Sequence, residues 1–555
     1  MQSAGTYDYI IIGAGTAGCV LANRLTQDPG VSVLLIEAGG KDDYAWIHIP
    51  VGYLYCIDNP RTDWRFRTEP DAGLNGRTLI YPRGKVLGGC SSINGMIYMR
   101  GQSRDYDAWA TQTGDDSWRW DQVLPLFLDT EDHHAGRSDF HGAGGEWRVE
   151  QQRLRWDILD AFREAAAQTG IPKTDDFNRG DNEGCGYFEV NQRSGIRWNT
   201  AKAFLRTVKG RRGNLEIMTG CHVQKLRIEQ GQGGAVRKGV EFTGGGQQWF
   251  AQAVHETLLT AGAIGSPQIL QLSGVGPANL LQAHGIPVVI NSRGVGENLQ
   301  DHLQLRMAFK VRNAKTLNTM ANSWLGKVQI GLEYALNRSG PMSMAPSQLG
   351  AFARSDATQT SANIQYHVQP LSLNKFGEPL HTFPAFTASV CNLRPTARGH
   401  VRIASSDATQ APKITPNYLS TEEDRQIAAD SLRLTRRIVA APAMQRYAPE
   451  EFLPGPTFQT DAELAHAAGN IGTTIFHPVG TCKMGRDDDA MAVLDPQLRV
   501  RGVAGLRVID GSVMPLITSG NPNSPIIMIA DKVAGLIRAD RKKATAPVAA
   551  TSAIA

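Results

Sequence analysis

Tyr9-Ile10-Ile11-Ile12-Gly13-Ala14-Gly15-Thr16-Ala17-Gly18 opens the first structural unit of the chain. Four consecutive apolar residues running into glycine predict a short strand buried on both faces, as parallel strands are. The three glycines then fill the places of a strand-to-helix turn that meets a nucleotide. Gly13 permits the turn, Gly15 lets backbone approach a pyrophosphate, and Gly18 lets the following helix pack close to the strand. Thr16 and Ala17 begin that helix, whose free N–H groups and positive end suit phosphate. A second buried strand, 31–36, ends at Glu37, 19 residues beyond Gly18. Glu37 is placed to accept hydrogen bonds from a ribose diol and argues against a 2′-phosphate, hence against NADP. The turn alone does not separate FAD from NAD.

Outward from this unit, composition bounds the protein class. Of 555 residues, 41% are hydrophobic and 20% charged, as in ordinary globular proteins. The length suits several domains or one large composite fold. A net charge of +4 without a basic run gives no case for nucleic acid. Seven cysteines, an odd number with no Cys-x-x-Cys pair, argue against a disulfide framework and against a structural metal site, and fit a reducing, cytoplasmic setting. The N-terminus lacks the basic and apolar regions of a secretory signal. No stretch approaches the length of a transmembrane segment. Peripheral contact with a membrane surface stays compatible with the sequence.

Further along, Leu258-Leu259-Thr260 leads into Gly262 and a helical pattern to Leu272. Residues 304–470 change character, with strand-like runs at Ile364–Val368 and Phe386–Val390 and a long helix at Glu422–Ala440, which predicts a second domain. Glycine turns and a final helix return in 471–538, and from about Arg541 the chain loses periodicity and reads as a disordered tail.

Three later segments add specificity: Gly84-Lys85-Val86-Leu87-Gly88-Gly89-Cys90-Ser91-Ser92-Ile93-Asn94-Gly95, then Gly262-Ala263-Ile264-Gly265-Ser266-Pro267 continuing to Gly276, then His477-Pro478-Val479-Gly480-Thr481-Cys482 with Gly520-Asn521-Pro522-Asn523. With the N-terminal turn, they resemble the glucose–methanol–choline oxidoreductases, nearest the bacterial branch of choline dehydrogenases and aliphatic alcohol dehydrogenases. The resemblance runs from about residue 7 to residue 538.

The resemblance implies FAD rather than NAD, and an α/β fold. A discontinuous Rossmann-like FAD-binding domain (1–150, 196–303 and 471–540) is expected beside an α+β substrate domain built on an antiparallel sheet (151–195 and 304–470), with 541–555 as the tail. It implies that Gly88, Gly89, Asn94, Val223 and Asp510 meet the cofactor and that Gly95 lies beside the flavin N5. Some members tether flavin through a histidine where this chain has Ile93, so FAD is expected to be non-covalent.

Oxidising an alcohol requires loss of a hydroxyl proton and of a hydride from the same carbon. Histidine, ordinarily neutral at neutral pH, is the natural base. The resemblance implies that His477 is that base and that Asn523 is its partner at the substrate oxygen and flavin. Asn523 or Ser524 before Pro525 also reads as a helix N-terminus, whose positive end would face the flavin. Asn521 reads as a turn residue and His302, in Asn298-Leu299-Gln300-Asp301-His302, as a structural residue at a domain junction. Choline-specific relatives carry an acidic residue where this chain has Gln348. With Met344 nearby, this predicts a pocket for an uncharged aliphatic or aromatic primary alcohol. The branch points to a quinone or other carrier as electron acceptor. The alternatives are an oxygen-using oxidase, a choline dehydrogenase and a flavin-dependent lyase.

Overall fold

The computed structural model describes residues 1–231, 234–374 and 378–545. The Tyr9–Ile12 run is the buried end of a longer strand, Gln2–Ile12. It pairs in parallel with Val33–Glu37 on one side and Gln247–Leu259 on the other, and Leu215–Thr219 extends the parallel order past Val33–Glu37. Leu506–Val508 also joins Gln247–Leu259 in parallel, while Gly234–Gly244 and Cys221–Gly231 continue the sheet as an antiparallel meander. Ile10, Ile11, Leu34, Leu35 and Leu258 are fully buried. Each such side chain contributes roughly 1.5–3 kcal/mol by leaving water.

The helix Thr16–Leu25 starts straight after the turn. Gly13 has φ +102°, a conformation that side chains resist, and a methyl group on Gly18 would stand 1.9 Å from the Gly13 carbonyl oxygen. The helix Asn523–Thr545 packs along Thr16–Leu25. In register, Ile12 stands beside Ile36 and Leu259, and Glu37 beside Thr219. The carboxyl ends of the parallel strands therefore lie level, where open α/β sheets place ligands.

The second sheet is antiparallel. Its order is Glu450–Leu453, Leu303–Lys310, Ala385–Asn392, Ile364–Gln369, Leu349–Ala353 and Gly184–Tyr187, with Gly472–Thr474 pairing on the start of Leu303–Lys310. Alternate residues point to opposite faces. Leu305, Met307, Phe309, Tyr366, Val368 and Phe386 face one way, into a core shared with the helices Asp157–Gln168 and Glu422–Ala440. The long helix begins where Thr421 accepts the Asp424 N–H, with Glu422 and Glu423 complementing its positive end.

Two expectations are corrected. The last helix begins at Asn523 rather than Pro525 and runs on to Thr545, with Arg541 paired to Asp28, so the first residues of the expected tail are helical. Residues 546–555 lie outside the described residues. No described helix is long and apolar enough to cross a membrane, and the seven cysteines are free thiols.

Candidate active site

Between the carboxyl ends of the parallel strands and the second face of the antiparallel sheet lies a cavity of about 950 Å³. At its nucleotide end stand Gly13, Gly15, Thr16, Ala17, Glu37 and Val223. Glu37 is held by backbone: Oε2 accepts the Ala14 N–H at 2.8 Å and Oε1 the Gly39 N–H at 2.8 Å. Burial nevertheless pushes its carboxyl up to about 7. Asp510 accepts from Gly262 N (2.9 Å), Ser266 Oγ (2.6 Å) and Ser512 N (2.8 Å), fixing the start of the helix Gly262–Leu272.

Gly89, Asn94 and Gly95 line the middle of the cavity, with Ile93 and Cys90. Gly89 abuts Gly15, where a methyl group would come within 2.7 Å of the Gly15 Cα. Asn94 Oδ1 accepts from Arg197 at 2.8 Å. Gly18 and Gly88 do not line the cavity. Gly18 closes the helix against the turn, and Gly88 donates its N–H to the Ala14 carbonyl at 2.8 Å.

His477 follows the short strand Gly472–Thr474 and its side chain is buried at the cavity wall. Its backbone N–H donates to Asp301 Oδ1 at 2.8 Å. Asp301 Oδ2 accepts the hydroxyls of Tyr81 (2.9 Å) and Thr474 (2.6 Å), and that of Tyr418. The neighbouring His302 meets His477 directly, Nδ1 to Nδ1 at 3.0 Å, and its Nε2 lies 3.0 Å from the Leu393 carbonyl. A carbonyl only accepts, so the His302 proton sits on Nε2, and burial keeps that ring neutral by holding its pKa below the usual value. His302 Nδ1 is then an acceptor, and His477 must donate to it from Nδ1. The lone pair of His477 is left on Nε2, 3.1 Å from Asn521 Nδ2, which donates to it. Burial first, then His302, His367 and Arg83, push the His477 pKa well below its ordinary value.

Asn523, expected beside His477, lines the same cavity. Its Oδ1 accepts the Thr16 hydroxyl at 2.7 Å, tying the N-termini of the two packed helices together, and its buried Nδ2 has no partner. It does not cap its own helix. Asn521, read from sequence as a turn residue, is the one that touches His477. Met344 and Gln348 are corrected as pocket residues. Both are buried outside the cavity wall, and the Gln348 amide folds back onto the Ala345 carbonyl at 2.5 Å. Pro346 and Ser347 line the cavity between them.

Sequence reasoning missed Arg306 and His367, which reach the cavity from the antiparallel sheet, and the contact of His302 with His477. A usable signal for Arg306 was the alternation in Leu303–Lys310, where the apolar side chains alternate with Gln304, Arg306 and Ala308.

These residues fit FAD. Two helix N-termini converge on one end of the cavity, Gly15 leaves room where any side chain would intrude, Glu37 holds both oxygens at the strand end, and the Asn523 amide awaits an acceptor. Comparison with known proteins agrees. GMC oxidoreductase family profiles match residues 7–304 and 395–530. The chain is 41% identical over 534 residues to an oxygen-dependent choline dehydrogenase of Vibrio vulnificus, covering 96% of this chain and 94% of that one. It is 38% identical to an alcohol dehydrogenase [acceptor] of Pseudomonas putida, covering 96% and 95%. Among solved structures, pyridoxine 4-oxidase from Mesorbium loti superposes with a TM-score of 0.86 at 31% identity, covering 96% of this chain and 99% of that one. An Aspergillus oryzae formate oxidase gives 0.89 at 26%, covering 98% and 100%. The chain belongs to the GMC oxidoreductase family and is an FAD-dependent enzyme that oxidises CH–OH groups.

Proposed function

We propose that the protein oxidises a primary alcohol bearing no positive charge to the aldehyde, with His477 as base and a quinone or similar carrier as final acceptor. The observation that carries this is the proton order along Leu393, His302 and His477, which leaves Nε2 of His477 unprotonated at the cavity wall, where it accepts the Asn521 amide until a substrate hydroxyl takes that place. Bound FAD supplies the hydride acceptor, at N5. His477 Nε2 takes the hydroxyl proton. Asn521 and Asn523 offer amide N–H groups to the oxygen as it gains charge. His477 then releases its proton to solvent before the next turnover.

The expectation of an uncharged alcohol drew on Met344 and Gln348, which lie outside the cavity. The cavity itself argues against a cation. Its carboxylates among the described residues, Glu37 and Asp510, already accept backbone N–H groups, whereas Arg67, Arg77, Arg83 and Arg306 all line it. A quaternary ammonium finds aromatic faces there but no free anion. Choline, named for several relatives, is therefore the weaker candidate. The test is anaerobic bleaching of the flavin by a panel of alcohols, followed by a soluble quinone or air. Primary alcohols are expected to bleach it, choline poorly, and quinone to restore colour faster than air. Bleaching by choline above all others would make this a choline dehydrogenase. No bleaching by any alcohol would end the oxidation reading and favour a lyase.

A further inference from the structure

One row of the antiparallel sheet carries polar groups that the chemistry above does not use. Arg306 stands directly opposite Ser389, and Ser389 opposite His367, on three adjacent strands. Residues paired in this way leave the sheet on the same face. The residues that alternate with them, Leu305, Met307, Tyr366 and Val390, fill the apolar core behind. The row therefore faces the cavity, and Arg306 and His367 line it. Ser389 Oγ and His367 Nε2 are buried without a hydrogen-bond partner. No carboxylate pairs with Arg306 among the described residues. A guanidinium held largely out of water without a counter-charge is costly. A hydroxyl and a ring nitrogen left unsatisfied in the same row add to that cost.

We propose that the alcohol substrate carries an anionic oxygen group, in the simplest case a carboxylate, which Arg306 binds beside His367. The substrate class is then a hydroxy acid, with its hydroxymethyl group at His477 and its acid group over this row. The proposal rests on the alcohol-oxidation reading of the same cavity. Arginine suits the task because its planar fork offers two parallel N–H donors to a carboxylate. The remaining cavity arginines add to the attraction. Arg77 donates to the Gly469 and Gly472 carbonyls and has no carboxylate partner among the described residues.

The experiment compares ω-hydroxyhexanoate with its neutral isostere, ω-hydroxyhexanamide, as anaerobic reductants of the holoenzyme. A charge-assisted hydrogen bond of roughly 1.5–3 kcal/mol corresponds to about a 10- to 100-fold preference for the acid in kcat/KM. Arg306→Gln should collapse that ratio toward one. A parent enzyme that treats acid and amide alike overturns the proposal, as does a ratio that survives in Arg306→Gln. A second readout needs neither turnover nor a variant. Hexanoate titrated into the oxidised holoenzyme should perturb the flavin absorbance at concentrations about tenfold or more below those needed for hexanamide, and equal titrations count against the site. If hexanoate binds in this way but no alcohol bleaches the flavin, the oxidation reading falls while the anion site stands.

Discussion

At His477 the position of one proton decides whether the ring can act as a base. The Leu393 carbonyl fixes the His302 tautomer, and His302 fixes that of His477. His302→Leu removes the acceptor and lets His477 place its proton on Nε2, where it blocks the reaction. The rate of anaerobic flavin bleaching should fall about 10²-fold with flavin content retained. His302→Gln, which keeps one acceptor and one donor, should recover part of the loss. Equal rates in the parent and in His302→Leu would refute the proton order. The depressed pKa of His477 also has a sign: the base stays neutral below the usual histidine pKa, so bleaching should not titrate near pH 6.5. His141 behaves oppositely. Burial disfavours its charge, but Asp176 and Glu131, each 3.1 Å from a ring nitrogen, raise its pKa to about 9. A pKa raised on folding adds stability that is complete below about 6.5 and is lost as pH rises through about 9. Melting temperature should therefore decline across that window, and the decline should be shallower in His141→Gln. Parallel curves for the two proteins would show that the imidazolium contributes nothing.

The turn from Ile12 to Thr16 and the helix that follows are set by contact rather than by propensity. A methyl group at position 18 meets the Gly13 carbonyl at 1.9 Å, and both partners are backbone, so the helix itself must move. Gly18→Ala should cost about 1–3 kcal/mol and lower the flavin-to-protein absorbance ratio, because the displaced helix carries Thr16 and its link to Asn523. A variant with parent stability and full flavin would show that the turn tolerates the shift. This unit was legible in the sequence because its information is local: an apolar run, glycines at fixed offsets and an acid at the next strand end. The proton order at His477 was not legible, since His302 and His477 are 175 residues apart and meet through the pairing of Gly472–Thr474 with Leu303–Lys310 and the bridge of Gln300 to Val479. The pocket reading failed at Gln348 for a local reason. Gln348 precedes the strand Leu349–Ala353 and escapes its alternation: its amide turns back onto the Ala345 carbonyl, and Ser347 lines the cavity instead. At Asn523 the sequence shows that a helix begins, as it does, but not that a neighbouring helix supplies the hydroxyl its side chain accepts.

Across the whole molecule the chain passes repeatedly between the two sheets. Residues 2–37 build the first, Gly184–Tyr187 joins the second, 215–259 return to the first, and 303–474 complete the second before Leu506–Val508 closes the first. Neither sheet is contiguous in sequence. The cavity is walled by both: strand ends on one side, the Gln304, Arg306 and His367 face on the other. Unfolding either sheet therefore destroys the cofactor site and removes strands' covalent anchors in the other. Ligand bound only by the native state adds stability of RT ln(1 + [L]/Kd), about 4 kcal/mol at a thousandfold excess over Kd. Flavin binding should thus stabilise both sheets together. In the holoenzyme, the rise in fluorescence of released flavin and the loss of far-ultraviolet ellipticity should share one midpoint. The flavin-free protein should melt several degrees lower, again in a single transition. Release of flavin well before the loss of ellipticity, followed by a second transition, would mean that the sheets unfold separately and that the cofactor does not couple them.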